Sequence, residues 1–354
     1  MTQLHTREVY LKPSKSHVTH GFKFAFFLVI FLNMVGCQNF VHKSTGQVML
    51  QYSKSQAVPY ALATDDALKG CALGEAFSPF LLSFERVSVD VDAVGILMDS
   101  LSGLCAQQEA WEQDLRYHRA LYNGNSSDAK DALIAKKRAS ALAAKRQYSG
   151  YKRMVAYFGE SCPQLKSKQD EFYYLVGLLN GLQASQNNTA ADQISQVPLN
   201  IMNKVGRGAQ CLSSEDWWGV PKAIEAMVWA MFNQPPENIE PLDVLNQASQ
   251  LGREKGVRLS HIFEAEAYNA SSDTQGLKAV IQDFANAPVN VSKQWQMLDV
   301  MAELYIQFFS DRLWTQDQGH RTPIRQLGQF WQAEPEEPTN DDSSKVKIDI
   351  DDLI

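Results

Sequence analysis

The longest helical pattern of the chain reads SSDAKDALIAKKRASALAAKRQYSGYKRMVAYFG over residues 126–159. It opens on a Ser-Ser-Asp cap signal, closes on a glycine, and is rich in alanine, lysine and arginine in between. The preceding segment, Asp90 to about Tyr122, carries apolar residues in steps of three and four and ends at Asn123-Gly124. Sustained alternation of apolar and polar residues, the signature of strands, is scarce in the rest of the chain. The sequence therefore predicts an all-α fold.

Further helices are predicted from the same spacing and from cap residues. Two of them begin at Thr64-Asp65-Asp66, with Pro79 expected to kink or split the helix, and at Ser161-Cys162-Pro163. The others cover residues 199–205, 222–232, 240–253, 258–269, 274–286, 292–313 and 323–332. Short loops between so many helices predict antiparallel pairs stacked side by side. Because no fixed repeat period is present, we expect a degenerate, tetratricopeptide-like α-solenoid or an irregular helical domain.

Composition excludes several classes of protein. The chain has 354 residues, and 45% of them are hydrophobic. This composition is too apolar for a disordered protein, and the chain is too long for a small disulfide knot. With 20 glycines and 13 prolines it is not collagen-like either. A formal net charge of −7 argues against a dedicated nucleic-acid binder, whose domain is normally basic.

The N-terminus predicts an export signal. Residues 24–36 form an apolar run that is shorter than the roughly 20 residues a membrane span needs, and basic residues precede it. The following Met34-Val35-Gly36-Cys37 resembles the lipobox of bacterial lipoproteins, which implies that residues 1–36 are removed and Cys37 is lipidated. Gln38 after the cysteine favours sorting of the lipidated protein to the outer membrane, where it would lie on the periplasmic face. The alternative is an uncleaved membrane anchor.

Domain boundaries follow from these patterns. We expect residues 37–60 to be a polar tether, residues 61–332 to be the helical domain, and residues 333–354 to be a disordered tail of net charge −6. Four basic residues and one acid precede Cys37, so the chain after cleavage carries a net charge of −10. Residues 128–153 run against this trend with net +6, which indicates either a solvated helix face or a docking face for an acidic partner or membrane headgroups.

Four cysteines remain after Cys37, an even number that in an oxidising compartment predicts two disulfides. Of the three possible connectivities we favour Cys71–Cys105 with Cys162–Cys211, each joining neighbouring segments of a helical stack. A metal site is the competing interpretation, but neither a C-x-x-C pair nor clustered histidines accompany the cysteines. We therefore expect no metal.

Two clusters are candidate ligand sites. Trp217 and Trp218 precede the helix start Gly219-Val220-Pro221 and either line a pocket for an apolar ligand or plug the turn by packing. The second cluster contains cations and an indole that could bind the carboxylate of a ligand. The alternative is that these residues only stabilise a turn. Its members are Arg312, Trp314, His320 and Arg321. Recognisable catalytic motifs and phosphate or dinucleotide loops are missing, so we expect a protein that is not an enzyme and uses no cofactor.

Three stretches resemble the T-component family of TRAP transporters, which are periplasmic lipoproteins with tetratricopeptide-like helices. Tyr173 to Gly181 is similar to an aromatic and small-residue helix of that family, and Val197-Pro198-Leu199 follows it. Gly219 to Ala226 is similar to the family's Gly-Gly-x-Pro helix start, with Trp218 in place of the first glycine. No binding residue transfers by identity.

The resemblance implies a function in solute uptake. It predicts a lipid-anchored helical scaffold that binds a periplasmic substrate-binding protein and, in addition, an apolar ligand of its own. The alternative is a structural outer-membrane accessory lipoprotein that bridges envelope proteins, without a ligand or a role in transport.

Overall fold

The computed structural model describes residues 40–160 and 162–331. Within them the fold is all-α, with eleven helices and no strand, as the sequence predicts. The first helix, α1, covers residues 40–62 and contains a π-helical stretch at Ser53–Ala57 before its last turn, Val58–Leu62. The others are α2 (Ala67–Leu82), α3 (Asp92–Tyr122), α4 (Ser126–Phe158), α5 (Lys168–Ala190), α6 (Ile201–Ala209), α7 (Val220–Phe232), α8 (Pro241–Lys255), α9 (His261–Ala270), α10 (Thr274–Asn286) and α11 (Gln296–Gln318).

Helix α3 is the centre of the molecule. Every residue from Ala93 to Leu104 is buried, so this part of the helix is covered on all sides. Helices α2 and α4 flank it, α5 packs on α4, and α11 returns from the end of the chain to contact α3. Each helix from α2 to α10 also packs on its neighbour in sequence. The stack therefore curls back on itself, and its interior lies between α3, α5, α9 and α11.

Close helix crossings in this stack require glycine. A Cβ on Gly74 of α2 would lie 2.5 Å from the backbone nitrogen of Ser102 in α3, which is shorter than any real contact. A Cβ on Gly177 of α5 would similarly meet the side chain of Met154 in α4. Small residues let the helix axes approach here, and the packing of large side chains elsewhere keeps them in register.

The two favoured disulfides are present. Cys71–Cys105 joins α2 to α3 with Cα atoms 5.3 Å apart, and Cys162–Cys211 joins the α4–α5 connection to the residues after α6, at 5.2 Å. Predicted caps are also in place: the Asp66 carboxylate accepts a hydrogen bond of 3.1 Å from the Lys69 backbone N–H at the start of α2. Pro79 lies inside α2 without splitting it.

Three expectations differ from the structure. The predicted tether is helical from residue 40, and its last turns belong to the core, because Val58, Ala61 and Leu62 are buried. The helix expected at Pro163 begins five residues later, at Lys168, where Ser167 supplies the cap by accepting from the Asp170 N–H at 3.1 Å.

The third difference is at residues 323–332, which were expected to form a helix. Residues 323–331 form turns instead. Thr322 is held against α11 instead: its N–H donates to Asp311 at 3.1 Å and its hydroxyl bonds Ser310 at 2.8 Å. The segment is held by aromatic contacts, with the rings of Trp331 and Trp314 5.1 Å apart.

Three predictions concern the two ends of the chain. The signal peptide 1–36, the lipidation site Cys37 and the acidic tail 333–354 all lie outside the described residues. Among the helices that are described, none combines the length and the apolar character that crossing a membrane requires.

Candidate ligand-binding cavity

The interior of the curled stack contains two neighbouring cavities. The inner one has a volume of about 40 Å³, room for roughly two or three water molecules, and is lined mostly by aliphatic and aromatic side chains of α3, α5, α9 and α11. The outer one has a volume of about 400 Å³ and lies between α3, α4, α5, α7, α9 and α11. That volume falls in the range of sites for small organic molecules.

Three side chains line both cavities and therefore stand between them: Gln186, Glu266 and Tyr305. The Gln186 amide donates to Glu266 Oε2 at 2.8 Å. Burial raises the pKa of Glu266 to about 7, and the Gln186 hydrogen bond opposes that rise without cancelling it. Glu266 is thus close to half protonated at neutral pH, and it can accept or donate a hydrogen bond at the junction.

Tyr305 is fixed by glutamine amides. Its hydroxyl accepts from Gln183 Nε2 at 2.7 Å and donates to Gln107 Oε1 at 3.1 Å. Burial, with a smaller contribution from the charge of Glu266, holds the Tyr305 pKa well above its ordinary value. The phenol is therefore neutral, and its orientation is set before any ligand enters.

One wall of the outer cavity is aromatic. Trp111 of α3 stacks on Phe308 of α11, with ring centroids 4.9 Å apart and planes 14° from parallel. Its edge also meets Tyr305 at 4.6 Å. Met227 and Met231 of α7 line the cavity as well. Flat aromatic area together with adaptable methionines suits an apolar ligand of irregular shape.

The other end of the outer cavity is charged. Asp114 is buried and lies 2.5 Å from Lys136 Nζ, 3.4 Å from Arg312 Nε and 3.7 Å from His118 Nε2. Burial opposes ionisation of Asp114, yet the charges of Lys136 and Arg312 hold its pKa below the ordinary value. Burial lowers the pKa of His118 to about 4, so this histidine is neutral at pH 7.

The charges of this cluster do not cancel. Two cations, Lys136 and Arg312, face the single carboxylate of Asp114, which leaves one positive charge in excess at this end of the cavity. Arg312 also donates from Nη1 to Asn269 Oδ1 at 3.0 Å, and all four of these residues line the cavity. A ligand oxygen with negative charge is favoured at this end.

The paired tryptophans of the sequence analysis are packed in a different place. Trp217 and Trp218 are 2% and 6% exposed and belong to an aromatic cluster with Phe172 and Trp295. The Trp217 indole donates to Glu171 Oε2 at 2.8 Å. Neither tryptophan is among the residues that line the two cavities.

The turn that carries these tryptophans is itself built for packing. Trp218 has a φ of 54°, and its carbonyl accepts from Ser260 Oγ at 2.8 Å. Gly219, with a φ of 80°, lies so close to the Ala248 backbone that a Cβ would overlap it. This geometry agrees with the alternative in which the pair plugs the turn between helices.

The second candidate cluster separates in the structure. Arg312 lines the outer cavity. Trp314 packs against the segment that follows α11, and His320 and Arg321 belong to that segment. Trp314 donates to the Gln329 carbonyl at 3.3 Å, the exposed His320 contacts the Arg321 carbonyl at 2.8 Å, and Arg321 forms a two-pronged ion pair with Glu112. The carboxylate that Arg321 binds in the structure is therefore the side chain of Glu112, in the same chain.

Sequence reasoning missed the residues at the junction. Glu266 lies in the apolar helix α9, and an acid in such a helix was the one signal available in advance. Gln186, Tyr305 and Trp111 come from three other helices, and their spacing along the chain does not indicate that they meet. Among the described residues, no group of three or more His, Cys, Asp or Glu side chains is placed to hold a metal ion.

The chain was also compared with known proteins. No family model, no curated protein and no solved structure matches it.

Proposed function

We propose that this chain is a lipid-anchored envelope protein whose helical body binds a small solute with an apolar body and one anionic group. The observation that carries the proposal is the outer cavity, which places the Trp111–Phe308 wall and the Arg312–Lys136 cations around a volume of about 400 Å³. The wall accommodates the apolar part, and the excess positive charge attracts the anionic part. Glu266 offers one more hydrogen bond at the far side.

We further propose that the protein is an accessory component of a TRAP-type solute uptake system, at the periplasmic face of the outer membrane. This rests on the lipobox-like Met34 to Cys37 and on the resemblance of Tyr173 to Gly181 and Gly219 to Ala226 to that family. Val176 and Leu179 of the first stretch line the inner cavity, which adjoins the proposed binding site. The expected partner is a periplasmic substrate-binding protein.

Binding is tested on the purified full-length chain with the apolar fluorophore N-phenyl-1-naphthylamine. We expect its emission to increase and shift to the blue on addition of protein, and an aliphatic or aromatic monocarboxylate to displace it. Ala270 lies at the exposed rim of the outer cavity, so Ala270→Trp blocks the entrance with little cost to the fold. The variant is expected to bind the fluorophore at least about tenfold more weakly, which corresponds to about 1.4 kcal/mol.

The matched control is Ala76→Trp, an equally large change at an exposed position of α2. It should bind the fluorophore like the unmodified chain. Equal binding by both variants would refute the cavity as the site.

The partner is tested separately, by capture of periplasmic proteins on the lipidated chain followed by mass spectrometry. Recovery of a substrate-binding protein supports the uptake role. Recovery of envelope-assembly proteins alone, together with no fluorophore binding, supports the alternative of a structural accessory lipoprotein that bridges envelope proteins.

A further inference from the structure

Helix α4 carries an exposed stripe in which cations alternate with large apolar side chains. The exposed residues recur at steps of three, four and seven, which return to the same side of a helix. They are Lys130, Ile134, Arg138, Leu142, Lys145 and Lys152. Ile134 and Leu142 are 49% and 45% exposed, although such side chains are normally covered. The stripe runs about 33 Å along a straight helix.

The stripe's cations are left out of the ion pairs of the fold, although Lys152 Nζ lies 5.1 Å from the ring centroid of Tyr148. Four other basic residues of α4 point inward or sideways into ion pairs: Lys136 with Asp114, Lys137 with Asp192, Arg146 with Glu75, and Arg153 with Glu85, Asp92 and Asp99. Lys130, Arg138, Lys145 and Lys152 form no ion pair within the described residues. Half of the basic residues of α4 are therefore available to something outside the molecule.

Acids are missing from most of α4 and from all of α1. The chain has 40 acidic residues, yet none lies between Asp131 and Glu160, and none lies in α1. Asp131 and Glu160 themselves pair with Arg116 and Lys204. In a chain of net charge −7, such stretches concentrate positive potential on one surface.

Helix α1 contacts the end of α4. Lys54 Nζ of α1 lies 6.0 Å from the ring centroid of Tyr157, which is 39% exposed near the end of α4. Towards its own start, α1 exposes Phe40, Val48 and Tyr52 to 73%, 67% and 57%. The segment that follows the expected lipid site is therefore in contact with α4, the helix that carries the stripe.

We propose that the α4 stripe lies on an anionic phospholipid bilayer. Lysine and arginine reach the phosphates through their long stems, while Ile134 and Leu142 enter the interfacial layer between them. An acidic protein partner would satisfy the cations but leave the interleaved apolar side chains against a charged surface. The proposal rests on the membrane location in the proposed function, since Phe40 follows the expected lipid site by three residues, but it requires neither the solute nor the transport partner.

The test is chemical footprinting of lysines on the full-length chain, reconstituted into vesicles of phosphatidylcholine with or without about 30% phosphatidylglycerol. An uncharged amine-acetylating reagent is applied briefly, and peptide mass spectrometry gives the rate at each lysine. We expect Lys130, Lys145 and Lys152 to react at least about threefold more slowly on the anionic vesicles, and the difference to disappear in about 0.5 M NaCl. Lys222 and Lys255, which lie on α7 and α8, should react equally on both.

A charge-reversed variant sharpens the test. Arg138→Glu with Lys145→Glu should abolish the protection of Lys130 and Lys152, whereas the matched variant Lys222→Glu with Lys255→Glu should preserve it. Circular dichroism confirms that both variants are folded. Equal rates on the two kinds of vesicle, or protection that appears only after a periplasmic protein fraction is added, would overturn the proposal.

Failure of this proposal is distinguishable from failure of the proposed function. Lipidation is read from the mass of the peptide that contains Cys37, and solute binding from the fluorophore in the absence of vesicles. Normal results in those two assays with unprotected stripe lysines would refute only the bilayer contact.

Discussion

Gln186 and Glu266 meet through a hydrogen bond of 2.8 Å at the point where the inner and outer cavities adjoin. The contact joins α5 to α9, 80 residues further along the chain. Because the carboxyl is buried and its amide partner is neutral, protonation of Glu266 follows pH near neutrality instead of near its ordinary value. This junction places a titratable group in the lining of both cavities.

Glu266 makes stability depend on pH. Its ordinary pKa of 4.5 rises to about 7 in the folded chain. Between these values the native state holds a proton that the unfolded chain has released, so the free energy of unfolding falls as pH rises through the window and stays level above it. Glu266→Gln removes this loss. We therefore expect the free energy of unfolding of the variant, taken relative to that of the unmodified chain, to be about 2–3 kcal/mol higher near pH 8 than near pH 4.5.

Urea unfolding followed by circular dichroism measures the effect across the pH window. Glu303→Gln, at an exposed position of α11, is the control and should show no such gain over the unmodified chain. Parallel pH profiles for Glu266→Gln and the unmodified chain would contradict the prediction.

Arg258 and Asp299 form a buried ion pair that fixes the entry to α9 against α11. The Arg258 side chain donates from Nε at 3.0 Å and from Nη2 at 2.6 Å to the two carboxylate oxygens. Asp299→Asn leaves the buried guanidinium without its counter-charge, so we expect a loss of about 3–5 kcal/mol in the free energy of unfolding. Glu112→Gln, which breaks the more exposed pair with Arg321, should cost less than about 1 kcal/mol in the same urea titration.

The disulfides are expected to stabilise two separate parts of the first six helices. They close loops with sequence separations of 34 and 49 residues. The double variants Cys71→Ser with Cys105→Ser, and Cys162→Ser with Cys211→Ser, should each lose about 3–4 kcal/mol. Peptide mapping without reductant should recover Cys71 linked to Cys105 and Cys162 linked to Cys211. Four free thiols, or a different pairing, would refute this connectivity.

Tryptophan substitutions separate packing from binding. Trp217 is buried in an aromatic cluster away from the cavities, whereas Trp111 forms the wall of the outer cavity. Trp217→Ala should lower the free energy of unfolding by about 3–5 kcal/mol and leave the affinity of the remaining folded protein for N-phenyl-1-naphthylamine within about twofold. Trp111→Ala should weaken that affinity by at least about tenfold. A reversal of the two binding results would restore the paired tryptophans as the ligand site.

Helix boundaries were largely accessible from local signals. The pattern over 126–159 corresponds to α4, Asp66 caps α2, and Asn123-Gly124 ends α3, because caps and apolar spacing act within one or two helical turns. Exceptions arose where distant contacts competed. Thr322 is hydrogen-bonded to α11, and the helix expected after it does not form. The segment expected to be a polar tether is the helix α1, and the last turn of that helix is buried in the core.

The sequence by itself determined the all-α class, because helical periodicity is a short-range signal. It favoured the two cysteine pairs that form, because each pair joins neighbouring segments of the stack, but the count of cysteines alone allowed three connectivities. Only the tertiary structure decided where a ligand would fit. Closure of the stack brings Trp111, Gln186, Glu266 and Tyr305 from four helices to one interior, and it buries Trp217 and Trp218 elsewhere. Side chains so far apart in the chain meet through helix packing, and burial then sets the proton affinity of Glu266.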